Sequence, residues 1–243
     1  MKRKIKDFVG KILYSIYPQL QITVLERSKQ NSYSQAGEDA VVSFLFSDYG
    51  IRNIKYLDLG TNIPNFGNNT YAFYKRGSTG VCVEADASLI ENIKKIRSRD
   101  KVINAGVAPE NGEADFYVFN EPAISTFDKE EAEFREGQGN YKIERVVKVP
   151  LITINKIIED NFETYPHFLS VDIEGLDLMV LKTLDFEKYP IPAICVETCT
   201  YSENHIRPKD SSIKDYMETR GYEVYADTYI NTIFVNKNWF YNK

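Results

Sequence analysis

The sequence predicts an α/β fold in which a Rossmann-like, mostly parallel sheet ends in an antiparallel hairpin. Short apolar runs alternate with stretches of helical spacing through most of the chain, as in consecutive βαβ units. Near the C-terminus, two further strand-like runs are separated by only a short polar segment, a spacing typical of a hairpin. With 243 residues, 43% of them hydrophobic, the chain is large enough to bury the core of one such domain.

A basic amphipathic helix is predicted at the start of the chain. We assign residues 1–30 to this helix and a linker, and residues 31–243 to the main domain. Apolar side chains such as Ile5, Phe8 and Ile12 repeat at helical spacing beside several lysines. A helix of this kind docks on its own domain, on a second subunit of a homo-oligomer or on an anionic membrane surface, and the sequence leaves the three open.

The main domain is predicted to begin with a helix at Gln35–Phe46, where apolar residues follow helical spacing. Five buried parallel strands are predicted after it, because each is a short apolar run bounded by polar residues. These strands are Tyr56–Leu59, Val81–Glu84, Val102–Val107, Phe168–Val171 and Ala193–Val196.

Two shorter strands, Ala114–Phe119 and Arg145–Val149, are predicted between the third and fourth of these. They flank an acidic segment, Asp128–Glu136, which we interpret as an insertion or a mobile lid. The chain is expected to end with a helix and a hairpin. The helix is Ser211–Arg220, and the hairpin strands are Glu223–Ala226 and Thr232–Val235.

Composition argues against several classes of protein. The formal net charge of -5 and the pI near 5.3 make nucleic acid an unexpected partner. No apolar stretch approaches the ~20 residues that span a bilayer, and the N-terminus lacks a signal-peptide pattern. Cys82, Cys195 and Cys199 lack the paired spacing of a zinc site and are expected to be reduced thiols. Together these features predict a cytoplasmic protein.

A ligand site is expected at the carboxyl ends of the parallel strands, where loops and helix N-termini converge. The first strand ends with Asp58 and Gly60, and the second ends with Glu84. Gly60 allows close approach of the backbone to a ligand, and Asp58 is placed to receive an ammonium group. Glu84 follows Gly60 by 24 residues, near the ~20-residue spacing at which a carboxylate accepts the hydroxyls of a ribose.

The glycine pattern favours a sulfonium nucleoside over a dinucleotide. A diphosphate needs repeated glycines at the helix N-terminus, whereas this loop has only Gly60 and Gly67, with Pro64 and Asn65 between them. A nucleotide-sugar oxidoreductase or epimerase is the alternative, since Tyr71 and Lys75 form a Tyr-x-x-x-Lys pair. That pair falls in the helix after the first strand, where aromatic residues at helical spacing are more simply explained as core residues.

Four ordered motifs carry a family resemblance. They are Tyr33–Asp39, the Asp58–Gly60 loop, Gly80–Glu84 and Val171–Gly175. Together they resemble the FkbM family of methyltransferases, over about Tyr33 to Val235. The resemblance implies a class I methyltransferase sheet, S-adenosylmethionine as cofactor and an O-methyl product, often on a sugar.

The resemblance also implies a set of cofactor-binding residues. Asp58 and Gly60 would contact the methionine end, Glu84 the ribose, and Asn104 with Ala105 the adenine. Gln35 and Glu38 would close over the cofactor from the first helix. The full set is Gln35, Glu38, Asp58, Gly60, Asn62, Glu84, Ala85, Asn104, Ala105 and Asp172.

Acidic residues at the fourth and fifth strand ends are the candidates for catalysis. A sugar hydroxyl must lose its proton to attack the methyl group, so a base or a divalent cation is needed. The base candidates are Asp172, Glu197 and His205, and weak candidates for a metal site are Asp172, Glu174 and Glu197. His167 is interpreted as structural, and Tyr201, Tyr229 or Trp239 is expected to stack on the acceptor.

The predicted function is therefore S-adenosylmethionine-dependent O-methylation of a sugar hydroxyl. The sugar is either nucleotide-linked or part of a surface glycan or capsular polysaccharide. A non-catalytic scaffold that binds the cofactor without transferring a methyl group is a further alternative, because a fold alone does not establish chemistry.

Overall fold

The computed structural model describes residues 32–173, 175–199, 209 and 211–242. The predicted N-terminal helix and linker, Glu174, Tyr201 and His205 lie outside these ranges. The boundary predicted after residue 30 therefore stays a prediction. The architecture below concerns the unit that begins at Tyr33.

Ten strands in the described part of the chain form two sheets. Seven strands make a sheet in the order β3-β2-β1-β7-β8-β10-β9, and three make a smaller sheet in the order β4-β6-β5. The strands are β1 Tyr56–Leu59, β2 Gly80–Glu84, β3 Lys101–Asn104, β4 Gly106–Val107, β5 Gly112–Phe119, β6 Ile143–Ile152, β7 Phe168–Val171, β8 Ala193–Glu197, β9 Tyr222–Asp227 and β10 Asn231–Asn236.

Eight α-helices and a short 3-10 turn at Pro122–Ile124 connect the strands in the described ranges. The helices are α1 Glu38–Asp48, α2 Tyr71–Lys75, α3 Ala87–Ile96, α4 Lys129–Glu136, α5 Ile154–Asn161, α6 Asp177–Thr183, α7 Ser211–Thr219 and α8 Lys237–Tyr241. None of these helices is long and apolar enough to cross a membrane.

The large sheet is parallel in its first five strands and antiparallel at β10 and β9. Every residue of β1 and β7 is buried, as expected for strands covered on both faces. The predicted fold class, a mostly parallel sheet with a C-terminal antiparallel hairpin, is confirmed.

The two faces of the large sheet pack against different helices because successive strand side chains alternate between faces. Leu57 and Leu59 belong to a core cluster with the apolar residues of α5, α6 and α7. Tyr56 belongs to a second cluster with residues of α1 and α2, including Phe46 and Phe73. Asp58 points to this second face and is therefore buried below α2.

The predicted strand Val102–Val107 is wrong as a single strand. Its first part is β3 in the large sheet, and its last two residues are β4 in the small sheet. Ala105 separates the two, and its N–H donates to the Glu84 carbonyl at 3.1 Å. Gly106 follows directly, where an added Cβ would lie 2.3 Å from the Phe127 ring. The chain turns here into the small sheet, and Asn104 and Gly106 interrupt the apolar run on either side of the break.

The acidic segment predicted as an insertion or lid forms helix α4. Asp128 caps it by accepting a hydrogen bond from the Glu131 N–H at 3.0 Å. Ala132 is fully buried in a small cluster with Phe119 and Ile124. The helix therefore packs on the small sheet, and movement as a lid stays a prediction.

A candidate active site at the carboxyl edge of the large sheet

Gly60 brings the end of β1 against the loop that follows β7. Its φ is +79°, and an added Cβ would lie only 1.8 Å from the Asp172 carbonyl oxygen. On the other side of β1, the N–H groups of Gly60 and Thr61 donate to the Val83 carbonyl at 3.0 and 3.1 Å. The glycine therefore lets two loops of the site meet.

Glu84 faces the same edge from the end of β2 and is almost fully buried. Its Oε2 accepts from the Asn62 N–H at 2.9 Å and its Oε1 from the Asp86 N–H at 2.8 Å. Burial raises the pKa of the Glu84 carboxyl, and the two backbone N–H groups oppose that rise. A carboxylate has about four acceptor positions, so these bonds leave room for a diol.

Asn62 completes this part of the edge. It adopts a left-handed conformation with φ +47°, and its side-chain Oδ1 is buried with no hydrogen-bond partner. An unpartnered buried acceptor calls for a donor from a ligand or water. Asn62 and Glu84 together therefore present hydrogen-bond acceptors at this edge.

Asp58 is held in a buried polar network. Its Oδ2 accepts from Asn68 Nδ2 at 2.9 Å, from Thr70 Oγ1 at 3.1 Å and from Arg97 Nη1 at 3.4 Å. Arg97 is fully buried and also donates to Asp100 Oδ2 at 2.7 Å. The network fixes the Asp58 carboxylate and neutralises part of its charge.

Asp172 lies close to several other carboxylates at this edge. It is half-buried, and its carboxyl makes no hydrogen bond within the part of the chain that the structure describes. Burial raises the pKa of the Asp172 carboxyl well above its ordinary value, and nearby negative charges raise it further. Those charges belong to Glu197, Asp177, Asp58 and Glu38.

Glu38 ties the start of α1 to the turn between β9 and β10. Its Oε1 accepts from Thr228 Oγ1 at 2.6 Å and from Asn231 Nδ2 at 3.0 Å, and its Oε2 accepts from the Ala36 N–H at 2.9 Å. Burial raises the pKa of the Glu38 carboxyl, but these hydrogen bonds outweigh burial and bring the pKa below its ordinary value. Glu38 is thus an ionised, fully buried carboxylate that lies beside the β9–β10 turn.

A comparison with family profiles covers the residues of this edge. The sequence profile of the methyltransferase FkbM domain matches residues 58–224, which include Asp58, Glu84 and Asp172. This chain belongs to the FkbM methyltransferase family. Membership implies S-adenosylmethionine as the methyl donor of this protein. The predicted family is confirmed, and no support remains for the oxidoreductase or epimerase alternative.

Other comparisons add little to this family assignment. A search of curated proteins gave no match. Among solved structures, the chain is similar to a TehB-like SAM-dependent methyltransferase from Corynebacterium glutamicum, at 11% sequence identity and a TM-score of 0.43. That alignment covers 93% of this chain and 100% of the other.

The remaining predicted cofactor residues of this FkbM domain lie around Glu84 and α1. Asn104 Nδ2 donates to the carbonyls of Glu84 and Ala85, each at 2.9 Å, and so holds the end of β2. Ala105 is buried beside them. Gln35 is exposed, and its Cγ lies 3.8 Å from the Cβ position of Gly67, above the loop after β1. Contact of these residues with the cofactor stays a prediction.

Two aromatic residues predicted to stack on the acceptor lie at opposite edges of the sheet. Tyr229, in the turn between β9 and β10, is 57% exposed at the carboxyl edge. Trp239 follows β10, whose antiparallel course ends beside Pro192 at the amino edge, and it stacks on Tyr49 with ring centroids 4.2 Å apart. Stacking of Trp239 on the acceptor is therefore wrong.

His167 and the Tyr71–Lys75 helix have structural surroundings, as predicted. His167 Nδ1 accepts from the Lys55 N–H at 2.9 Å, and burial followed by the Lys55 charge lowers the pKa of its imidazole. In α2, Phe73 and Tyr74 are buried. The Tyr-x-x-x-Lys spacing therefore marks a core helix.

A metal site is not supported in the described part of the chain. No group of three or more His, Cys, Asp or Glu side chains in the described ranges is arranged to hold an ion. Of the weak candidates, Asp172 and Glu197 lie at the edge, whereas Glu174 is outside the described residues. His205, the third base candidate, is also outside them.

Sequence reasoning missed the residues that hold the acidic groups in place. Arg97, Asn68 and Thr70 fix Asp58, while Thr228 and Asn231 fix Glu38. Asn69 Nδ2 donates to Ser170 Oγ at 3.2 Å and to Cys195 Sγ at 3.7 Å below the same loop. The run Asn68-Asn69-Thr70 directly before the aromatic helix α2 was the available signal, because polar residues buried there need hydrogen-bond partners.

Proposed function

We propose that this FkbM methyltransferase methylates a sugar hydroxyl with Asp172 as the base. The observation that carries the proposal is the Asp172 carboxyl itself, which is half-buried, makes no hydrogen bond in the described ranges and has a raised pKa. A base with a pKa near the operating pH both binds and releases a proton readily. The sugar is nucleotide-linked or part of a glycan.

The chemistry of the step is a proton loss coupled to methyl transfer. S-adenosylmethionine supplies an electrophilic methyl group on a sulfonium. The acceptor oxygen forms the new O–CH₃ bond as the S–CH₃ bond breaks and its electron pair returns to sulfur. Asp172 takes the hydroxyl proton, and the crowding by Glu197 favours the protonated carboxyl that results.

The other residues act by binding and orientation. Glu84 and Asn62 receive the ribose hydroxyls, and Asp58, fixed by Arg97, faces the methionine end. Correct alignment of donor and acceptor is worth about 7 to 11 kcal/mol in such reactions. Tyr229, exposed at the same edge, offers an aromatic face to the acceptor.

We propose the cytoplasm as the place of this reaction. Cys82, Cys195 and Cys199 are free thiols, of which the first two are buried. Free thiols persist in a reducing compartment. The N-terminal segment, residues 1–30, is proposed as the contact to a second subunit or to an anionic membrane surface.

Methyl transfer and the base are tested together. Purified protein is incubated with labelled S-adenosylmethionine and a panel of sugars, and the product is identified by a mass gain of one methyl group. We expect Asp172→Asn to reduce the rate by about 10² to 10⁴-fold while cofactor binding is retained. Glu187→Gln, an exposed substitution at the opposite edge, is the matched control. A rate unchanged in Asp172→Asn would exclude Asp172 as the base.

The ribose assignment is tested by calorimetry with S-adenosylmethionine. We expect Glu84→Ala to weaken binding by about 10 to 100-fold, since hydrogen bonds to a charged acceptor contribute about 1.5 to 3 kcal/mol. Circular dichroism confirms that the variant is folded. Unchanged affinity in a folded variant would remove Glu84 from the cofactor site.

A further inference from the structure

Arg145 reaches from the small sheet to the turn that follows β2. It lies in β6, and its Nη2 donates to Asp86 Oδ1 at 2.8 Å and to Ser88 Oγ at 3.1 Å. Asp86 caps α3, since the same Oδ1 accepts from the Ser88 N–H at 2.9 Å. The Asp86 side chain is 5% exposed, whereas that of Arg145 is 41% exposed. A residue of the small sheet thus supplies a counter-charge for a buried carboxylate at the edge of the large sheet.

Asp86 is hydrogen-bonded to Glu84, the residue proposed to receive the ribose. The Asp86 N–H donates to Glu84 Oε1 at 2.8 Å, and both residues are almost fully buried. Burial raises the pKa of the Glu84 carboxyl, and the negative charge of Asp86 adds to that rise. Arg145 opposes this charge at close range and holds the residue whose N–H orients the Glu84 carboxylate. Removal of Arg145 therefore disturbs Glu84 through both the charge and the position of Asp86.

The turn Glu84–Asp86 is held from two sides. From β3, Asn104 Nδ2 donates to the carbonyls of Glu84 and Ala85, each at 2.9 Å. From β6, Arg145 bonds the Asp86 carboxylate. A turn that is already fixed by hydrogen bonds loses less conformational entropy when a ligand binds to it. The contact from β6 can therefore raise ligand affinity without touching the ligand.

We propose that Arg145 is a positioning residue for the methyl donor, because it holds the Glu84–Asp86 turn in the conformation in which Glu84 receives the ribose hydroxyls. The inference rests on the proposed function, which assigns Glu84 to the ribose. It extends that function to the small sheet, because none of the residues predicted to contact the cofactor belongs to β4, β5 or β6. Through one side chain of β6, the small sheet contributes to the affinity for S-adenosylmethionine.

The first test measures affinity without turnover. Binding of S-adenosylmethionine and of S-adenosylhomocysteine is measured by calorimetry. We expect Arg145→Ala to weaken the binding of both by about 3- to 10-fold, a modest coupling for residues within one hydrogen-bond network. Arg145→Lys keeps the charge and should recover most of the affinity.

Lys148→Ala is the matched control. Lys148 lies on the same strand and pairs with Asp115 at 2.8 Å, where both side chains are exposed. Its removal should leave both affinities at the parent value. An affinity in Arg145→Ala equal to that in Lys148→Ala would overturn the inference.

A comparison of two ligands separates positioning from a general loss of structure. S-adenosylhomocysteine and its 2′,3′-dideoxy analogue differ only in the ribose hydroxyls, so the ratio of their affinities reports the hydroxyl contact. We expect Arg145→Ala to reduce this ratio by several-fold and Lys148→Ala to leave it unchanged. An unchanged ratio in Arg145→Ala would show that the arginine does not act on the ribose contact and would overturn the inference.

A double-variant cycle tests whether Arg145 acts through Glu84. If it does, Arg145→Ala causes little further loss of affinity in a Glu84→Ala background, and fully additive losses would contradict the inference. The same cycle distinguishes the two failures. Unchanged affinity in Glu84→Ala removes the ribose assignment and the inference together. Weakened binding in Glu84→Ala with parent-like binding in Arg145→Ala removes the inference alone.

Discussion

Gly60 is the residue that allows the loops after β1 and β7 to touch. A Cβ there would overlap the Asp172 carbonyl at 1.8 Å, and the positive φ adds strain for any other residue. The close contact between Gly60 and the Asp172 carbonyl therefore restricts the backbone at the end of β1 and at the proposed base. A substitution at Gly60 acts on the site through the backbone of Asp172.

We expect Gly60→Ala to lower the free energy of unfolding by about 3 kcal/mol or more, since backbone atoms must move as well as φ. Gly77→Ala is the matched control, because Gly77 has φ +99° but nothing within 4 Å of its Cβ position. Its cost should be only about 1 to 2 kcal/mol. Urea denaturation of both variants measures the difference, and equal costs would show that the Asp172 contact is unimportant.

Loss of the Asp172 proton is expected to raise the methyl-transfer rate and to lower the stability of the fold. Burial raises its pKa in the folded protein, so the folded state holds the proton more tightly than the unfolded state. This carboxyl therefore favours folding below its unfolded pKa near 4, and that contribution is lost as pH rises through the folded pKa. The raised pKa of Asp172 therefore costs the folded state stability at pH values above the unfolded pKa.

We expect Asp172→Asn to be more stable than the parent at pH 8 and to lose that advantage at pH 4, as followed by thermal unfolding. The parent's methyl-transfer rate should rise with pH through the raised pKa of Asp172. In Glu197→Gln, removal of the neighbouring charge lowers this pKa, so the rise should move to lower pH. A pH profile that is identical in Glu197→Gln would contradict coupling between the two carboxyls.

The sequence indicated which acidic residues stand at the strand ends but not how they are held. Asp58, Glu84 and Asp172 directly end or follow apolar strands, and the carboxyl ends of parallel strands share one edge. The Arg97 contact to Asp58 spans 39 positions and depends on how α3 returns beside the sheet. Nothing local in the sequence specifies such a contact.

At the scale of elements, Glu38 joins α1 to the C-terminal hairpin. Thr228 and Asn231 lie in and beside the β9–β10 turn, about 190 residues from Glu38 along the chain. The hairpin therefore has a role in the site as well as in closing the sheet. It holds the carboxylate that approaches Asp172 from α1.

We expect Glu38→Ala to lower the free energy of unfolding by roughly 2 to 4 kcal/mol, because it leaves the buried Asn231 Nδ2 donor without an acceptor and removes the bond from Thr228. Glu133→Ala is the control, since Glu133 is exposed on α4 and makes a surface ion pair with Lys129. That change should cost at most about 1 kcal/mol. Similar costs for the two variants in urea denaturation would show that the α1–hairpin contact adds no stability.

Element types were predictable where the hydrophobic period was clear. The strands Tyr56–Leu59 and Phe168–Val171 have the predicted bounds, and the helix predicted at Gln35–Phe46 begins three residues later because Gly37 is in a left-handed conformation. The run Val102–Val107 was misjudged because burial in either sheet requires apolar residues. The hydrophobic period indicates that a segment is a strand, but it does not indicate which sheet the strand joins.

At the scale of the whole molecule, Arg97 links elements that are far apart in the chain. It bonds Asp58 on β1, Thr70 before α2 and Asp100 before β3, and Asp100 in turn accepts from Tyr56 and the Gly80 N–H. One half of the large sheet is thus organised around a single buried cation.

We expect Arg97→Ala to cost about 3 to 5 kcal/mol of stability, because Asp58 and Asp100 lose their buried counter-charge. Arg145→Ala, at a pair whose arginine side chain is 41% exposed, should cost about 1 kcal/mol or less. The stabilities of the two variants are compared by their denaturant midpoints, measured at one pH. A cost for Arg97→Ala no larger than that for Arg145→Ala would contradict a central role for the network.

The chain segment that forms the small sheet begins and ends at neighbouring residues. Gly106 and Val107 of β4 pair in parallel with Leu151 and Ile152 of β6, so the first and last residues of this excursion are hydrogen-bonded neighbours. Segments whose ends already meet are replaced at little entropic cost. The residues between β4 and β6 can therefore be lengthened, shortened or exchanged while the strands of the large sheet keep their positions.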